Sequence, residues 1–150
     1  MLFSAVFALA GLAAATPVAR GLTDVTFVEN LSVRKIQSGN TTTINSFSLD
    51  LSNPDYANTT CTMIDAAGAP PVTAQCEDSN GEVISYRATI WGSSDSNGAG
   101  YSVEVVHSLG ALTKIGQEDV PVYCRAGGAG PDDFVCNQVG GSVEIDLNFV

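Results

Sequence analysis

The chain has 150 residues, of which 16 are Asp or Glu and six are Lys or Arg, so its formal net charge at pH 7 is -10. A chain of this length is expected to form one domain. The negative charge disfavours nucleic acid as a partner, because nucleic acid is itself a polyanion. The same charge is expected to keep an extracellular protein soluble and could attract it to basic surfaces.

The first 15 residues predict a secretory signal peptide. They carry no charge, form an apolar stretch too short to span a bilayer, and end in small residues. We expect cleavage after Ala15, and Arg20 allows a second trimming step that starts the mature chain near Gly21. The sequence therefore predicts a secreted, extracellular protein with one domain over residues 21–150 and no membrane anchor.

Short alternating or β-branched runs, separated by turn-forming residues, predict an all-β domain after the signal. The predicted strands, in chain order, cover residues 25–34, 43–51, 59–64, 83–91, 101–107, 120–124 and 142–149. Residues 109–115 have apolar positions three apart, a spacing typical of a single helical turn. The strands indicate a single compact domain, either an antiparallel β-barrel or a β-sandwich, because periodicity does not separate the two.

Large aromatic residues within these runs are predicted to supply the apolar surface of the core. They are Phe47, Tyr86, Trp91, Tyr101 and Phe149. A small ligand would fit among them only in a barrel that is open at one end.

The four cysteines of a secreted chain predict disulfides. Three pairings are possible, and the spacing favours Cys61 with Cys76 and Cys124 with Cys136. Each of these pairings closes a short loop, worth ~3 kcal/mol in the chain-entropy model.

No metal site and no cofactor are predicted. The chain has no Cys-x-x-Cys pair, and His107 is its only histidine, so a zinc site is not expected. The glycine run at residues 127–130 lacks the Lys and the Ser or Thr that complete a phosphate-binding loop, so these glycines are interpreted as turn residues.

Residues 123–136 form the most distinctive motif, Tyr-Cys-Arg-Ala-Gly-Gly-Ala-Gly-Pro-Asp-Asp-Phe-Val-Cys. This segment resembles the C-terminal cysteine loop of the Alternaria major-allergen family, secreted β-barrel proteins of filamentous fungi that include allergens and elicitors of plant defence. The Cys61 and Cys76 pair and the strand run that ends the chain match the family as well. The resemblance implies a β-barrel of about eleven strands with two internal disulfides.

The chain departs from that family in one respect. The dimeric allergen of the family has an additional cysteine near its mature N-terminus that joins two barrels covalently, whereas this sequence has no cysteine before Cys61. A disulfide-linked dimer is therefore excluded, and we expect a monomer or a non-covalent dimer.

No catalytic residues are predicted. His107 ends a strand and is expected to face inward with Tyr101 and Val103, or to begin the turn at Ser108, so it is interpreted as a strand-end or partly buried histidine. A ribonuclease would need other groups beside it, such as Glu104 and Arg87.

Three pairs of adjacent acids raise the question of a glycosidase, which needs two cooperating carboxyl groups. The pairs are Glu77 with Asp78, Glu118 with Asp119, and Asp132 with Asp133. Adjacent residues on a strand point to opposite faces, so the pairs are interpreted as solvated charge in turns or at strand ends.

Arg125 is the single cation of the cysteine loop. We expect it to pair with Asp132 or Asp133 across the loop, and it is the candidate binding residue. The sequence does not otherwise identify a binding face.

Three sequons predict N-glycosylation of a secreted chain, at Asn30, Asn40 and Asn58. Asn40 and Asn58 fall in turn-like segments and are expected to be accessible. Asn30 falls within a predicted strand, which makes it the least favourable acceptor.

The combined expectation is a secreted, non-enzymatic fungal protein that acts by binding, as an allergen-like protein or as an effector or elicitor recognised by plant hosts. The resemblance implies two partner classes, plant thaumatin-like defence proteins and small phenolic ligands. The alternatives are a small secreted hydrolase acting on cell-wall sugar or RNA, and a passive spore or wall coat protein.

Overall fold

The structure is a computed structural model and describes residues 24–54, 59–93 and 99–150. The described residues form nine strands and no helix. The strands are β1 (Asp24–Ser38), β2 (Thr41–Ser52), β3 (Thr59–Met63), β4 (Val72–Glu77), β5 (Val83–Ser93), β6 (Gly100–Leu109), β7 (Leu112–Ala126), β8 (Asp133–Gln138) and β9 (Val143–Phe149). The predicted signal peptide and its cleavage sites lie outside the described residues.

The nine strands form one antiparallel sheet that closes into a ring. Each strand from β1 to β7 pairs with the next one along the chain, and β8 returns to pair with β1. The last strand, β9, pairs with the first half of β1 and with β7. The predicted all-β fold with a closed antiparallel barrel is confirmed, and a β-sandwich is not the arrangement found.

Two long strands explain why the described residues contain nine strands rather than the eleven or so implied by the resemblance. β1 pairs with β9 over residues 24–28 and with β8 over residues 32–36. A register shift separates the two halves, where Asn30 takes a φ of 54°. The side chain of Gln138 bonds the backbone there, accepting from the Leu31 N–H at 3.0 Å and donating to the Val28 carbonyl at 3.0 Å.

β7 is the second long strand, and β9 approaches it very closely at Gly116. A Cβ at this position would overlap the backbone carbonyl of Asp146 and the side chain of Ile145. A residue without a side chain is therefore required where β9 crosses β7.

Three sequence predictions about elements were wrong. Strands β4 and β8 were not predicted, because β4 has small inward residues and β8 begins with an aspartate that a local pattern places in a turn. Residues 109–115 form no helical turn. Leu109 pairs directly with Leu112 across a tight hairpin in which Gly110 has a φ of 66°, so strand pairing overrides the local spacing.

The core is built from the inward-facing residues of the ring. Three of the predicted core aromatics, Phe47, Tyr86 and Tyr101, are at most 4% exposed, as predicted. Trp91 and Phe149 are 50% and 41% exposed, so their predicted core role was wrong. Tyr86, Ala88 and Ile90 face inward along β5, so alternation places Trp91 on the outer face, whereas Phe149 lies at the end of its strand, beyond the core.

Both disulfides join directly opposed residues of neighbouring strands. Cys61 on β3 bonds Cys76 on β4, and Cys124 on β7 bonds Cys136 on β8. Each bridge therefore closes a hairpin. All four cysteines are paired within the chain, which leaves none for a disulfide-linked dimer.

Candidate functional site

Residues 127–132 connect β7 to β8 and are called the glycine loop below. The Cys124–Cys136 disulfide closes the base of the hairpin, where the two Cα atoms are 3.9 Å apart. Gly128 and Gly130 have φ angles of 91° and 152°, which side chains rarely tolerate. The loop therefore folds back tightly between a covalent base and a backbone that requires glycine.

Arg34 on β1 holds the C-terminal side of the glycine loop through Asp133. Its Nε donates to Oδ1 of Asp133 at 3.0 Å, and its Nη2 donates to Oδ2 at 2.9 Å. The Asp133 side chain is 5% exposed, whereas that of Arg34 is 44% exposed. This bidentate geometry fixes the guanidinium plane while leaving much of it open to solvent.

The Asp133 carboxylate also organises the glycine loop itself. Its Oδ2 accepts a hydrogen bond from the Ala129 N–H at 3.0 Å, and the backbone carbonyl of Asp133 accepts from the Gly127 N–H at 2.8 Å. A Cβ on Gly127 would overlap the carboxylate, so only glycine fits there. The interpretation of Asp133 as a solvated charge was wrong.

These contacts shift the ionisation of both partners. The hydrogen bond from Arg34, followed by that from the Ala129 N–H, lowers the pKa of Asp133 below its ordinary value. The Asp133 hydrogen bond and charge raise the pKa of Arg34. The pair therefore stays ionised across the ordinary pH range, because each partner stabilises the charged form of the other.

An open cleft of about 500 Å³ lies between the glycine loop and the outer wall formed by β1 and β2. It is lined by Arg34, Ile36, Asn45, Ser46, Ala129, Gly130, Pro131, Asp132 and Asp133. Ile36, which is 39% exposed, gives the cleft an apolar patch beside the guanidinium of Arg34. The cleft thus combines an apolar wall, a fixed cation and a carboxylate, the components of a small-ligand site.

The structure corrects the expected ion pair of Arg125, whose role in binding stays a prediction. Arg34, and not Arg125, is the cation that pairs with Asp133, and Arg125 lies outside the lining of the cleft. Arg125 is exposed on β7 opposite Val135. Sequence reasoning missed Arg34 because it lies 99 residues from its partner, and no local pattern links the two.

His107 lies in the barrel near the end where the described chain begins. It is 4% exposed, and its ring stacks on that of Tyr86 with centroids 3.9 Å apart. Its Nδ1 lies 3.0 Å from Oδ2 of Asp24, while its Nε2 is buried without a hydrogen-bond partner. The expectation that His107 faces inward with Tyr101 and Val103 is therefore correct.

The structure does not assemble the residues considered for a ribonuclease. Glu104 alternates with the buried residues of β6 and so lies on the outer face, while His107 lies on the inner face. Arg87 is exposed on β5. The barrel wall therefore separates His107 from both groups.

The other acidic pairs lie on turns or outer surfaces, away from the cleft lining. Glu77, Glu118 and Asp119 are exposed. Asp78 accepts hydrogen bonds from the N–H groups of Glu82 and Asn80, which lower its pKa. This carboxylate closes the turn between β4 and β5, which is a structural role.

The structure describes two of the three sequon asparagines. Asn40 is exposed in the turn between β1 and β2. Asn30 is exposed at the register shift of β1, and its Nδ2 donates to Oδ2 of Asp50 at 2.8 Å. Asn58 lies outside the described residues, and glycosylation at all three positions stays a prediction.

Within the described ranges, no cluster of three or more His, Cys, Asp and Glu side chains has the arrangement of a metal site. That part of the chain also contains no helix long and apolar enough to cross a membrane.

Comparison with known proteins agrees with the motif and the barrel. The family model described as Alternaria alternata allergen 1 matches residues 27–136. A crystal structure of the Alternaria alternata major allergen Alt a 1 has a TM-score of 0.60 at 23% identity, covering 84% of this chain and 94% of that chain. A second Alt a 1 crystal structure has a TM-score of 0.58 at 26% identity, and the match covers 91% of this chain and 97% of that chain. No curated protein gives a significant match. Because the family model spans most of the sequence, the chain belongs to the Alternaria alternata allergen 1 family.

Proposed function

We propose that this chain is a secreted, non-enzymatic binding protein, allergen-like and recognised by plant hosts as an effector or elicitor, and that the cleft beside the glycine loop binds a small phenolic ligand. The observation that carries the proposal is the cleft itself, because the family's distinctive loop forms one of its walls. Its volume of about 500 Å³ falls in the ordinary range for small-molecule sites.

The lining of the cleft suits an aromatic ring that carries hydroxyl groups. A ring can stack on the guanidinium of Arg34, whose plane Asp133 fixes, while its edge contacts Ile36. A phenolic hydroxyl can then donate to the exposed carboxylate of Asp132, since an ionised carboxylate only accepts hydrogen bonds. Each of these groups lines the cleft.

Titration calorimetry of the mature, oxidised protein with a flavonol and with a hydroxycinnamic acid tests this proposal. We expect binding of one of these probes, and we expect Ile36→Asp to raise its Kd about tenfold or more by placing a charge on the apolar wall. The matched control is Val83→Asp, since Val83 is 59% exposed and lies outside the cleft lining. Absence of binding, or equal effects of the two variants, would reject the cleft as the site.

A plant thaumatin-like defence protein is the second proposed partner, and the charge of the chain supports it. Such proteins are often basic, and a net charge of -10 would steer association with a basic surface. A pull-down from plant apoplastic fluid with the mature protein is expected to recover such a protein, with less recovered as salt is raised. Recovery of no such protein would count against this partner.

The site of accumulation separates the binding protein from the coat-protein alternative. We expect the mature chain in the culture filtrate, with an N-terminus at Thr16 or near Gly21. Retention in the spore wall would favour a passive coat protein instead.

An activity assay tests the hydrolase alternative. Turnover of cell-wall sugar or RNA that is lost on replacing His107 or an acidic pair would revive it.

A further inference from the structure

The two disulfides differ in how well they are shielded from solvent. Cys61 and Cys76 are both 0% exposed, so that bridge is closed to a reagent while the barrel is folded. In the other bridge Cys136 is also 0% exposed, but Cys124 is only partly buried, two residues before the exposed end of β7 at Ala126. A reagent in solution therefore approaches the Cys124–Cys136 bridge from its Cys124 side, directly from solvent and without needing a cavity.

The buried sulfur of this bridge has a hydrogen-bond donor. The hydroxyl of Tyr101, a residue that is 1% exposed, donates to Sγ of Cys136 at 3.9 Å. Burial raises the pKa of Tyr101 to about 12, so the hydroxyl keeps its proton at neutral pH. A hydrogen bond to a disulfide sulfur is weak, but it becomes charge-assisted and stronger when that sulfur is a thiolate. The contact therefore favours Cys136 as the sulfur that leaves when the bridge is broken.

Lys35 adds an amine close to the same hydroxyl. It is only 9% exposed and faces into the barrel, and its Nζ lies 5.9 Å from the ring centroid of Tyr101. Val33, two residues earlier on the inner face of β1, lies directly opposite Cys136. Burial lowers the pKa of Lys35, whereas a negative sulfur nearby favours its ammonium form. The surroundings of Cys136 thus include a hydroxyl and an amine, and both stabilise a thiolate.

We propose that Cys124–Cys136 is a thiol-exchange site, at which a low-molecular-weight thiol attacks Sγ of Cys124 and displaces Cys136. The reagent thiolate forms a sulfur–sulfur bond with Cys124, and the electron pair of the broken bond leaves on Sγ of Cys136. A second reagent thiolate attacks the reagent sulfur of this mixed disulfide and displaces Cys124 as a thiolate. Two reagent thiols are thereby oxidised to one disulfide, two electrons reduce the bridge, and the two protons that the reagent thiols lose end on Cys124 and Cys136.

Exchange at this bridge releases the base of the glycine loop without opening the barrel. β8 is paired with β7 over residues 134–138 and with β1 over residues 133–137. The two hydrogen bonds from Arg34 to Asp133 hold the far side of the loop and do not depend on the disulfide. The bridge can therefore change its redox state in the folded protein, and the change acts on the loop rather than on the fold.

The test uses the intact, oxidised mature protein and reduced glutathione as the thiol. N-ethylmaleimide stops the exchange at successive times by capping free thiols, and peptide mass mapping measures the capped cysteines and the glutathione adducts. We expect Cys124–Cys136 to open about tenfold faster or more than Cys61–Cys76, with glutathione attached to Cys124 and not to Cys136. In denaturing urea the two bridges should open at similar rates, because unfolding removes the difference in shielding. Equal rates in the folded protein, glutathione on Cys136, or exchange that occurs only in urea would each overturn the proposal.

A tyrosine variant tests the leaving group. Tyr101→Phe removes only the hydroxyl and should slow the opening of Cys124–Cys136 several-fold in the folded protein but not in urea. Tyr86→Phe is the matched control, since Tyr86 is also a buried tyrosine, 4% exposed, and its hydroxyl accepts a hydrogen bond from Asn53 at 2.8 Å. A Tyr101 variant that exchanges as fast as the Tyr86 variant would overturn the assistance assigned to the hydroxyl. The comparison of the two bridges is made on the unaltered protein, so it does not depend on how well either variant folds.

Discussion

The guanidinium of Arg34 and the carboxylate of Asp133, 99 residues apart in the chain, form two parallel hydrogen bonds of 3.0 and 2.9 Å. These bonds attach the glycine loop to the β1 wall of the barrel. The disulfide holds the base of the loop and the ion pair holds its far side, so the shape of the cleft depends on both. Four predictions follow from this arrangement and from the close contacts elsewhere in the barrel.

Arg34→Ala should loosen the glycine loop without unfolding the barrel. The variant removes both donors from Asp133, whose remaining hydrogen bond comes from the Ala129 N–H. Hydrogen exchange of the Ala129 and Gly127 amides is expected to accelerate, while amides in β5 and β6 keep their protection. Arg125→Ala is the matched control, since Arg125 is an exposed arginine outside the cleft lining. Equal acceleration in the two variants would contradict the role assigned to Arg34.

Protonation of Asp133 in acid should lower the free energy of unfolding of the folded protein. Its pKa is lower in the folded state than in the unfolded state because Arg34 and the Ala129 N–H bond its charged form. The resulting stability is fully present above the unfolded value, about 4, and is lost as pH falls through the lower folded value. Urea unfolding at a series of pH values should therefore show a steeper loss below pH ~4 for the native chain than for Asp133→Asn. Parallel curves through the acid range would contradict this linkage.

Gly116→Ala should destabilise the whole barrel. The new methyl group would overlap the Asp146 backbone and the Ile145 side chain, and a backbone neighbour cannot move aside without disturbing β9. We expect the free energy of unfolding to fall by about 1–3 kcal/mol, the usual cost of overpacking. Gly68→Ala is the control, because its Cβ would make only ordinary contact and its φ is not left-handed. A Gly116 variant as stable as the Gly68 variant would show that β9 can shift.

Removing either disulfide should cost a similar amount of stability but affect the cleft differently. The bridged residues are 15 and 12 positions apart, so the chain-entropy model gives ~3 kcal/mol for each pair of Cys→Ala replacements. Loss of Cys124–Cys136 should also weaken ligand binding in the cleft, because this bridge supports the glycine loop. Loss of Cys61–Cys76 should leave binding unchanged in the folded fraction. Thermal unfolding and calorimetric titration measure the two effects separately.

The sequence predicted the features that depend on local patterns. Strand alternation identified the inward face of β6, including His107. Regular turn spacing indicated an all-β domain, and the resemblance of the cysteine loop implied that this domain is a barrel. Features that depend on distant neighbours were missed. Asp133 looked like a turn residue because its partner Arg34 lies on another strand. Nothing in the residues around Lys35 shows that the closed barrel leaves this lysine only 9% exposed. Trp91 was assigned to the core as a large aromatic residue, although alternation from the inward-facing Tyr86 and Ile90 places it on the outer face of β5.

β1 is hydrogen-bonded to β2, β8 and β9, and its residue Val28, for example, lies between Leu51 of β2 and Val143 of β9. The first described strand to be synthesised is therefore the last to find all of its neighbours, because the partners that complete its pairing lie at the far end of the chain. A nascent chain that lacks β8 and β9 has an open seam along β1, with unpaired backbone groups that invite association with other chains. The barrel must therefore close after nearly all of its sequence has been made, and a shortened C-terminus would leave the earliest-made segment as its weakest point.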